Sequence, residues 1–315
     1  MSAAHERSAS GPVVVLAGGT GGAKLARGML DVIGTDELVV IANTGDDIEI
    51  YGAYVSPDPD LVTFWLADAI DHRGWGLARD TFHTMQGLRD LGVETWFNLG
   101  DRDLAVGLER ARLLASGRRL TEAQARLAAA FGVSASVLPM SDQPVRTRVM
   151  ADGAWWGLQE FLIKHGGRGP VEEVEFRGAA AAQPTPEVLA TLAAASAVII
   201  GPSNPVISIG PIIALERLRA AIRQATAPVV AVSPLVRGQV VKGPTEPFLE
   251  WAGQPLTATG IATLYEGLID GLVSDEQTRL VPVLETDVLM DSDGARARVA
   301  AETLRFARSL GERSK

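Results

Sequence analysis

The chain has 315 residues, of which 47% are hydrophobic and 21% charged, with a net charge of −9 and no cysteine. This composition provides an apolar core for one large α/β domain or for two smaller ones. It excludes disulfides, thiolate catalysis and cysteine metal sites, and the negative charge argues against nonspecific nucleic-acid binding, so we expect no nucleic-acid partner.

The N-terminal part of the chain contains the most informative pattern. Residues 1–11 are polar and predict a flexible tail rather than a signal peptide. Residues 13–16 and 38–41 are apolar runs that predict buried parallel strands, with a helix over 22–32 between them. Glycines separate the first strand from this helix, and they let backbone amides approach a ligand at the positive end of the helix. The turn therefore suits a phosphate.

Two common phosphate-binding templates do not fit this turn in detail. Lys24 occupies the place of the third glycine in the dinucleotide fingerprint, and it lies between Ala23 and Leu25, which breaks the ATP-type pattern. The alternative therefore stays open that the glycines only pack a helix on a sheet. The candidate phosphate-binding residues of the turn are Gly18, Gly19, Thr20, Gly21, Gly22 and Lys24.

The rest of the chain predicts a single domain over 12–315 with a β-rich insertion at about 139–178. The predicted strands are 93–97, 145–150, 154–158, 171–176, 197–200 and 228–232. The predicted helices are 61–70, 82–91, 104–114, 122–131 and 212–225. We therefore expect a Rossmann-like α/β fold, with a mainly parallel sheet, helices on both faces and a smaller inserted α/β subregion.

Acidic residues follow the second strand and begin the next helix. Asp46 and Asp47 end the segment Asn-Thr-Gly-Asp-Asp, and Asp60 ends the segment Ser-Pro-Asp-Pro-Asp. Ligands bind beyond the carboxyl ends of parallel strands, and Mg²⁺ prefers one or two carboxylates together with phosphates and water. The alternatives are ordinary turn chemistry for the first segment and a helix cap for Asp60. The three acids are candidate Mg²⁺ ligands if they converge.

Two later turns also contain candidate binding groups. Arg102, within residues 98–103, has the planar guanidinium that grips anions, although a capped helix with a surface ion pair explains the same segment. Prolines stiffen residues 201–211 around Ser203 and Asn204, whose hydroxyl and amide suit a base or a phosphate. The four histidines lack metal-ligand spacing, and no G-x-S-x-G motif is present, which argues against a serine hydrolase.

Taken in order, these turns resemble the 2-phospho-L-lactate transferase family (the CofD family) over almost the whole chain. The resemblance rests on residues 18–22, 43–47, 56–60, 99–103, 138–142, 201–205 and 208–211. Pro59 stands where many relatives have leucine, which leaves both neighbouring carboxylates available. The resemblance implies a step in coenzyme F-420 biosynthesis. A GDP-activated phospho-acid is transferred to the ribityl hydroxyl of Fo (7,8-didemethyl-8-hydroxy-5-deazariboflavin), GMP leaves, and Mg²⁺ assists.

The same resemblance implies roles for individual residues. The nucleotide- and phosphate-binding residues are those of the glycine turn together with Asn43, Ser203, Asn204 and Ser208. Asp60, Asp46 and Arg102 are expected to be catalytic, Asp60, Asp101 and Arg102 to bind Fo, and Asp46, Asp47 and Asp60 to hold the metal.

Two questions stay open at this point. We expect the transferred acid to be 2-phospho-L-lactate or phosphoenolpyruvate, but the sequence does not decide between lactyl, enolpyruvyl and glyceryl donors, because a pocket discriminates such similar groups only weakly. A related branch, which binds UDP-sugars and regulates without clear catalysis, is the alternative function, and residues 99–103 and 141–142 favour the transferase. We expect a cytoplasmic homodimer without a membrane partner.

Overall fold

A computed structural model of the protein describes residues 11–313, so almost all of the predicted tail lies outside the described residues. The strands are β1 Val13–Ala17, β2 Leu38–Ala42, β3 Ile48–Ile50, β4 Ala53–Val55, β5 Ser136–Pro139, β6 Arg146–Ala151, β7 Ala154–Gly157, β8 Glu173–Arg177, β9 Ala197–Ile200, β10 Val229–Val232, β11 Leu235–Val236, β12 Gln239–Val240, β13 Gly271–Ser274 and β14 Val283–Glu285. The helices are α1 Gly19–Ile33, α2 Pro57–Leu66, α3 His83–Asp90, α4 Asp101–Ala115, α5 Leu120–Ala130, α6 Leu158–Ile163, α7 Pro186–Ala194, α8 Gly210–Ala214, α9 Glu216–Arg223, α10 Thr245–Trp251, α11 Ala258–Leu264 and α12 Asp293–Arg313.

The central sheet has seven parallel strands in the order β14-β13-β10-β9-β1-β2-β5. Val13 of β1 pairs with Leu38 of β2 on one side and with Ala197 of β9 on the other. The chain leaves β1 toward β2 and later returns to β9, so the strand order reverses at β1. In open α/β sheets, ligands bind at such a switch point, outside the carboxyl ends of the strands. The predicted Rossmann-like α/β fold is confirmed.

The core lies on both faces of the sheet. Val14 and Leu16 of β1 pack into the layer that contains α7, α9 and α11, whereas Val13, Val15 and Ala17 pack into the layer that contains α1, α2 and α12. Both faces are covered, which is why β1 is a continuous apolar run rather than an alternating one. No helix in the described part of the chain is long and apolar enough to cross a membrane.

The predicted strand at 93–97 is wrong. These residues form an irregular segment after α3, where Gly92 ends the helix with a φ of +78°. The backbone N–H of Phe97 donates to the side-chain hydroxyl of Tyr51 at 3.1 Å, and no neighbouring strand pairs with the segment. Trp96 and Phe97 instead line a cavity, so their apolar character serves that wall rather than a sheet.

Other elements also differ from the prediction. The helix predicted at 61–70 begins at Pro57, a residue whose fixed φ suits the first helical position, so Asp60 lies in its first turn. The helix predicted at 212–225 is split into α8 and α9 at Leu215, whose ψ of 107° is extended. The short strand β5 was not predicted, although it completes the sheet beside β2.

Two smaller structures flank the sheet near its carboxyl edge. Strands β7, β6 and β8 form an antiparallel sheet within the region predicted to be a β-rich insertion, and α6 follows β7 directly. The hairpin β3-β4 precedes α2. Together with α3 and α4, these elements surround the space beyond β1 and β2.

Candidate functional site

A cavity of about 640 Å³ lies beyond the carboxyl ends of β1 and β2. The polar residues of its wall include Gly19, Asp46, Asp58, Asp60, Asp80, Asp103 and Gln159. The apolar residues of the wall include Leu61, Phe64, Trp75, Phe82, Trp96, Phe97, Leu162 and Ile163. The cavity is large enough for a small-molecule ligand, and it combines convergent polar groups with aromatic walls, as binding sites commonly do.

The glycine turn connects β1 to α1 and faces the loop that follows β9. A Cβ at Gly21 would lie 1.9 Å from the carbonyl oxygen of Pro202, and one at Gly22 would lie 2.7 Å from the hydroxyl of Ser203. Gly19 has a φ of +66°, a backbone conformation that favours glycine. These glycines therefore allow two turns to approach closely at the switch point, and Gly19 also reaches the cavity.

The residues after β9 hold this contact in place. The N–H of Gly18 donates to the hydroxyl of Ser203 at 3.3 Å, and Ser208 packs against the same glycine. The side-chain oxygen of Asn204 accepts hydrogen bonds from the N–H groups of Val206 and Ile207 and so begins the π-helical turn Pro205–Ile209. The amide nitrogen of Asn204 is buried and has no partner among the described residues.

A carboxylate occupies the positive end of α1. The N–H of Gly19 donates to one oxygen of Asp58 at 2.5 Å. The helix N-terminus therefore already binds an anionic group, which is the preference that the dipole creates. Lys24, one turn further along, is directed elsewhere: its ammonium donates to the carbonyl of Met290 at 3.0 Å and lies over the ring of Trp65.

Asn43 joins two of the cavity carboxylates. Its amide nitrogen donates to Asp46 at 2.7 Å and to Asp58 at 2.9 Å, while its oxygen accepts the N–H of Gly45. Gln159, from α6, donates to the other oxygen of Asp46 at 3.3 Å. Burial raises the pKa of Asp46 well above its usual range, and the charge of Asp58 raises it further. Burial also raises the pKa of Asp58. A cation between these two carboxylates would relieve their repulsion.

Asp60 is held by a buried arginine. Both carboxylate oxygens of Asp60 accept hydrogen bonds from Arg110 of α4, which is completely buried and also donates to the carbonyl of Tyr54 and to Gln124. Burial raises the pKa of Asp60, and the charge of Arg110 opposes that rise. Asp60 therefore lines the cavity as part of a neutralised pair rather than as a free carboxylate.

Asp47 points away from the cavity. One of its oxygens accepts the hydroxyl of Ser56 at 2.7 Å and the other accepts the hydroxyl of Tyr54 at 2.9 Å. Burial raises its pKa to about 7, although Arg146 lies nearby and lowers it. Asp47 is adjacent to Asp46 in the chain, but its contacts hold the segment 43–47 against β4 and α2.

Asp80 and Asp101 cap each other's helix. Asp80, before α3, accepts the N–H groups of Arg102 and Asp103 at the start of α4. Asp101, at the start of α4, accepts the N–H groups of His83 and Thr84 at the start of α3, and its pKa is lowered by these hydrogen bonds and by that of Thr81. These contacts lock the two helix starts together beside the cavity.

Arg102 and Asp103 lie on different sides of α4. The Arg102 guanidinium is exposed and donates to the carbonyl of Ala78 at 3.1 Å, outside the cavity wall. Asp103, the next residue, lies on the cavity wall. The contacts of Arg102 are therefore those of a capped helix, which is the alternative interpretation of residues 98–103.

Sequence reasoning assigned no role to Asp58, Asp103, Arg110 or Gln159, although the structure brings all four to the site or to its acids. Asp58 and Asp103 belong to the segments 56–60 and 98–103, which the sequence analysis identified as candidate sites. The sequence shows that their side chains are carboxylates, but it does not show that these side chains face the cavity. Arg110 occupies a position in α4 that is in helical register with the apolar Val106 and Leu113, and that pattern indicates a buried arginine in need of an acidic partner.

No group of three or more His, Asp or Glu side chains within residues 11–313 is arranged to hold a metal ion. The acids predicted to converge are thus arranged differently: Asp46 and Asp58 form a linked pair, Asp60 is paired with Arg110, and Asp47 is engaged in the core. Asp46 and Asp58 remain at the cavity as a pair of carboxylates joined by Asn43. Mg²⁺ accepts one or two protein carboxylates when phosphates and water complete its shell, so the pair fits that ion.

A comparison of the sequence with protein families matches residues 13–303 to the family described as 2-phospho-L-lactate transferase CofD. The chain is 37% identical over 268 residues to the 2-phospho-L-lactate transferase of Methanosarcina mazei, covering 85% of this chain and 88% of that one. It is 38% identical to the phosphoenolpyruvate transferase of Kitasatospora aureofaciens, covering 93% and 98% of the two chains.

The fold also resembles a solved structure. A protein of the UPF0052 family from Bacillus halodurans superposes with a TM-score of 0.62, over 94% of this chain and 99% of the other, at 16% sequence identity. This similarity concerns the fold alone.

Proposed function

Because the chain belongs to the 2-phospho-L-lactate transferase CofD family, we propose that it transfers a phospho-acid from a GDP-activated donor to the ribityl hydroxyl of Fo and releases GMP. The chain is an enzyme of the 2-phospho-L-lactate or phosphoenolpyruvate transferase type. Our proposal adds that the donor is GDP-activated and that the acceptor is Fo. It leaves the choice between the phospho-acids to experiment. The observation that supports it most is a single cavity whose wall carries both the carboxylates of Asp46 and Asp58 and the aromatic rings of Trp75, Phe82, Trp96 and Phe97.

The aromatic rings of the cavity wall suit a planar acceptor. Trp96 and Phe97 are stacked, with ring centroids 5.6 Å apart and an interplanar angle of 21°. Trp75 and Phe82 contribute further rings to the same wall, and Leu162 of α6 adds an aliphatic contact. Fused aromatic rings gain both apolar burial and ring stacking against such walls. These rings are therefore the proposed contacts of the deazaflavin, with its ribityl chain directed to the carboxylates of the wall.

The carboxylates of Asp46 and Asp58 suit the diphosphate of the donor together with Mg²⁺. We assign the metal to Asp46 and Asp58, which Asn43 holds together and which both line the cavity. When bound there, Mg²⁺ would neutralise negative charge on the diphosphate. The start of α1 lies beside this pair: the N–H of Gly19 donates to Asp58, and the other N–H groups of the first turn would favour phosphate oxygens. Ser203 adjoins the same helix start, Asn204 follows it in the loop, and both are the proposed contacts of the nucleotide.

The transfer itself needs little covalent work from the protein. The hydroxyl oxygen of the acceptor forms a bond to the phosphorus that bears the phospho-acid, and the bond from that phosphorus to GMP breaks. Such displacements depend on in-line positioning and on charge stabilisation. Asp60 lies on the cavity wall, and Arg110 fixes its direction. Its free lone pairs are placed to orient the attacking hydroxyl, which is the catalytic role proposed for Asp60.

The test is to incubate the purified protein with Fo, Mg²⁺ and, in separate reactions, the lactyl, enolpyruvyl and glyceryl forms of the GDP-activated donor. Mass spectrometry should find a phospho-acid adduct of Fo and an equal amount of GMP, and the best donor identifies the acid. A reaction without Fo is the control for donor hydrolysis. Absence of any adduct, together with tight binding of a UDP-sugar, would favour the regulator instead.

A further inference from the structure

Asp103 has a defined position at the start of α4. Asp80 accepts its backbone N–H at 3.0 Å and so fixes the first turn of the helix. Its carboxylate faces the loop before α3, because a Cβ built at Gly76 would lie 3.9 Å from one of its oxygens. Gly76, Asp80 and Asp103 all belong to the cavity wall. The carboxylate therefore lies beside Gly76 on the cavity wall, on a backbone that Asp80 fixes.

Asp103 also differs from the other carboxylates of the cavity wall in the hydrogen bonds that it accepts. Asp46, Asp58, Asp60 and Asp80 each accept at least one hydrogen bond. The carboxylate of Asp103 accepts none from the residues that the structure describes, 11–313. Asp103 is half-buried on the cavity wall, so its carboxylate oxygens are open to a donor on a ligand bound in the cavity. A hydroxyl of the acceptor is a donor of that kind.

The surroundings of Asp103 suit proton transfer near neutral pH. Burial raises its pKa to about 7, and the charges of Asp60 from α2 and of Asp80 from the loop before α3 contribute to the rise. Arg110, in the same helix as Asp103, opposes it. A general base works best when its pKa lies near the working pH, because it is then both unprotonated and basic enough to take a proton.

We propose that Asp103 is a catalytic residue that accepts the proton of the attacking acceptor hydroxyl, an assignment that rests on the transfer proposed above. As the hydroxyl oxygen forms its bond to phosphorus, its proton moves to a carboxylate oxygen of Asp103. The electron pair of the breaking phosphorus–oxygen bond leaves with GMP. The protonated Asp103 then releases its proton to water when the product leaves. Asp60, whose oxygens Arg110 occupies, orients the hydroxyl and does not take the proton.

The experiment compares the wild type with Asp103→Asn, which keeps the shape of the side chain but cannot accept a proton. Fo-dependent GMP release is measured from pH 5 to pH 9. We expect the wild-type kcat to rise with pH and level off above about pH 7. Asp103→Asn should lower kcat at pH 8 by about 100-fold or more and remove that rise, because general-base catalysis contributes about 10²–10⁴-fold.

Two further variants make the outcome specific. Asp103→Glu keeps a proton acceptor and should retain more activity than Asp103→Asn, with a pH-dependent kcat. Glu109→Gln changes an exposed carboxylate of the same helix, which pairs with Arg112, and should leave the profile unchanged. Thermal unfolding and GDP binding of Asp103→Asn establish that it folds and binds nucleotide.

The proposal is overturned if Asp103→Asn keeps the wild-type kcat and the same rise with pH. It is also overturned if Asp103→Glu and Asp103→Asn lose activity equally while both still fold and bind GDP. A wild type that forms no Fo adduct with any donor would instead overturn the proposed function. The two failures are therefore distinguished by the wild-type reaction alone.

Discussion

Arg110 directs both ends of its guanidinium at the carboxylate of Asp60, and the side chains of the two are 0% and 7% exposed. This pair joins α4 to the first turn of α2. It also fixes the direction of the Asp60 carboxylate, which is the group proposed to orient the acceptor hydroxyl. Two charges taken out of water depend on each other, because the loss of either partner leaves the other buried and unpaired.

Removal of Arg110 should be strongly destabilising. Arg110→Ala leaves the Asp60 carboxylate and the Tyr54 carbonyl without their donor, so the free energy of unfolding should fall by about 3–5 kcal/mol in a urea titration. Arg112→Ala, two residues away on the exposed face, should change it by less than about 1 kcal/mol. Equal effects of the two substitutions would show that the buried pair adds nothing to stability.

Stability should depend on pH through Asp103. Its pKa in the folded protein, about 7, lies above the ordinary value of 3.8, so the folded state holds the proton more tightly than the unfolded chain does. The stabilisation this provides is complete below about pH 4 and is lost as the pH rises through about 7. Asp103→Asn should therefore be more stable than the wild type at pH 8, by about 0.5–2 kcal/mol, and nearly equal to it at pH 4. Urea titrations at the two pH values measure this, and a variant that is less stable at pH 8 would contradict it.

Asn43 should control the affinity for Mg²⁺. Asn43→Ala removes the amide that holds Asp46 and Asp58 together, so the carboxylates can separate. Residues that orient metal ligands typically change metal affinity by about 10–100-fold. We expect the Mg²⁺ concentration for half-maximal GMP release to rise by that factor, measured by titration with MgCl₂. An unchanged Mg²⁺ requirement would mean that these two carboxylates do not hold the ion.

The glycine turn should tolerate no side chain at Gly21. Gly21→Ala places a Cβ at the carbonyl oxygen of Pro202, so either the turn or the loop after β9 must move. We expect a lower melting temperature and weaker GDP binding. Gly87→Ala is the matched control: no atom lies within 4 Å of its Cβ, and alanine is the better helix residue by about 0.5–1 kcal/mol. Its melting temperature should rise slightly or stay the same.

The sequence predicts the β1–α1 unit and the parallel sheet because those depend on local patterns. A continuous apolar run, a glycine turn and a helical spacing follow one another within residues 13–32. The prediction of a strand at 93–97 is wrong because it depends on the tertiary structure. Its apolar residues resemble a strand locally, and only the tertiary structure shows that Trp96 and Phe97 line a cavity. Patterns of hydrophobicity alone do not distinguish these two uses.

The candidate site was predictable in its segments but not in the directions of its side chains. Asp46 and Asp47 are neighbours in a turn, yet one faces the cavity and the other the core. Arg102 and Asp103 are neighbours on a helix, where consecutive side chains point about 100° apart, so a segment of interest contains both an exposed residue and a cavity residue. The partner of Asp60 lies 50 residues further along the chain, beyond any local pattern.

The measurement that tests the central claim most directly is Fo-dependent GMP release by the wild type, Asp58→Asn and Asp36→Asn. Asp58 lies on the cavity wall between Gly19 and Asn43, whereas Asp36 is exposed just before β2, at the opposite edge of the sheet. The account predicts an Fo adduct and GMP in equal amounts from the wild type and from Asp36→Asn, and a loss of about 100-fold or more for Asp58→Asn in a protein that still unfolds cooperatively. Full transfer by Asp58→Asn would contradict the assignment of this cavity as the site of the reaction.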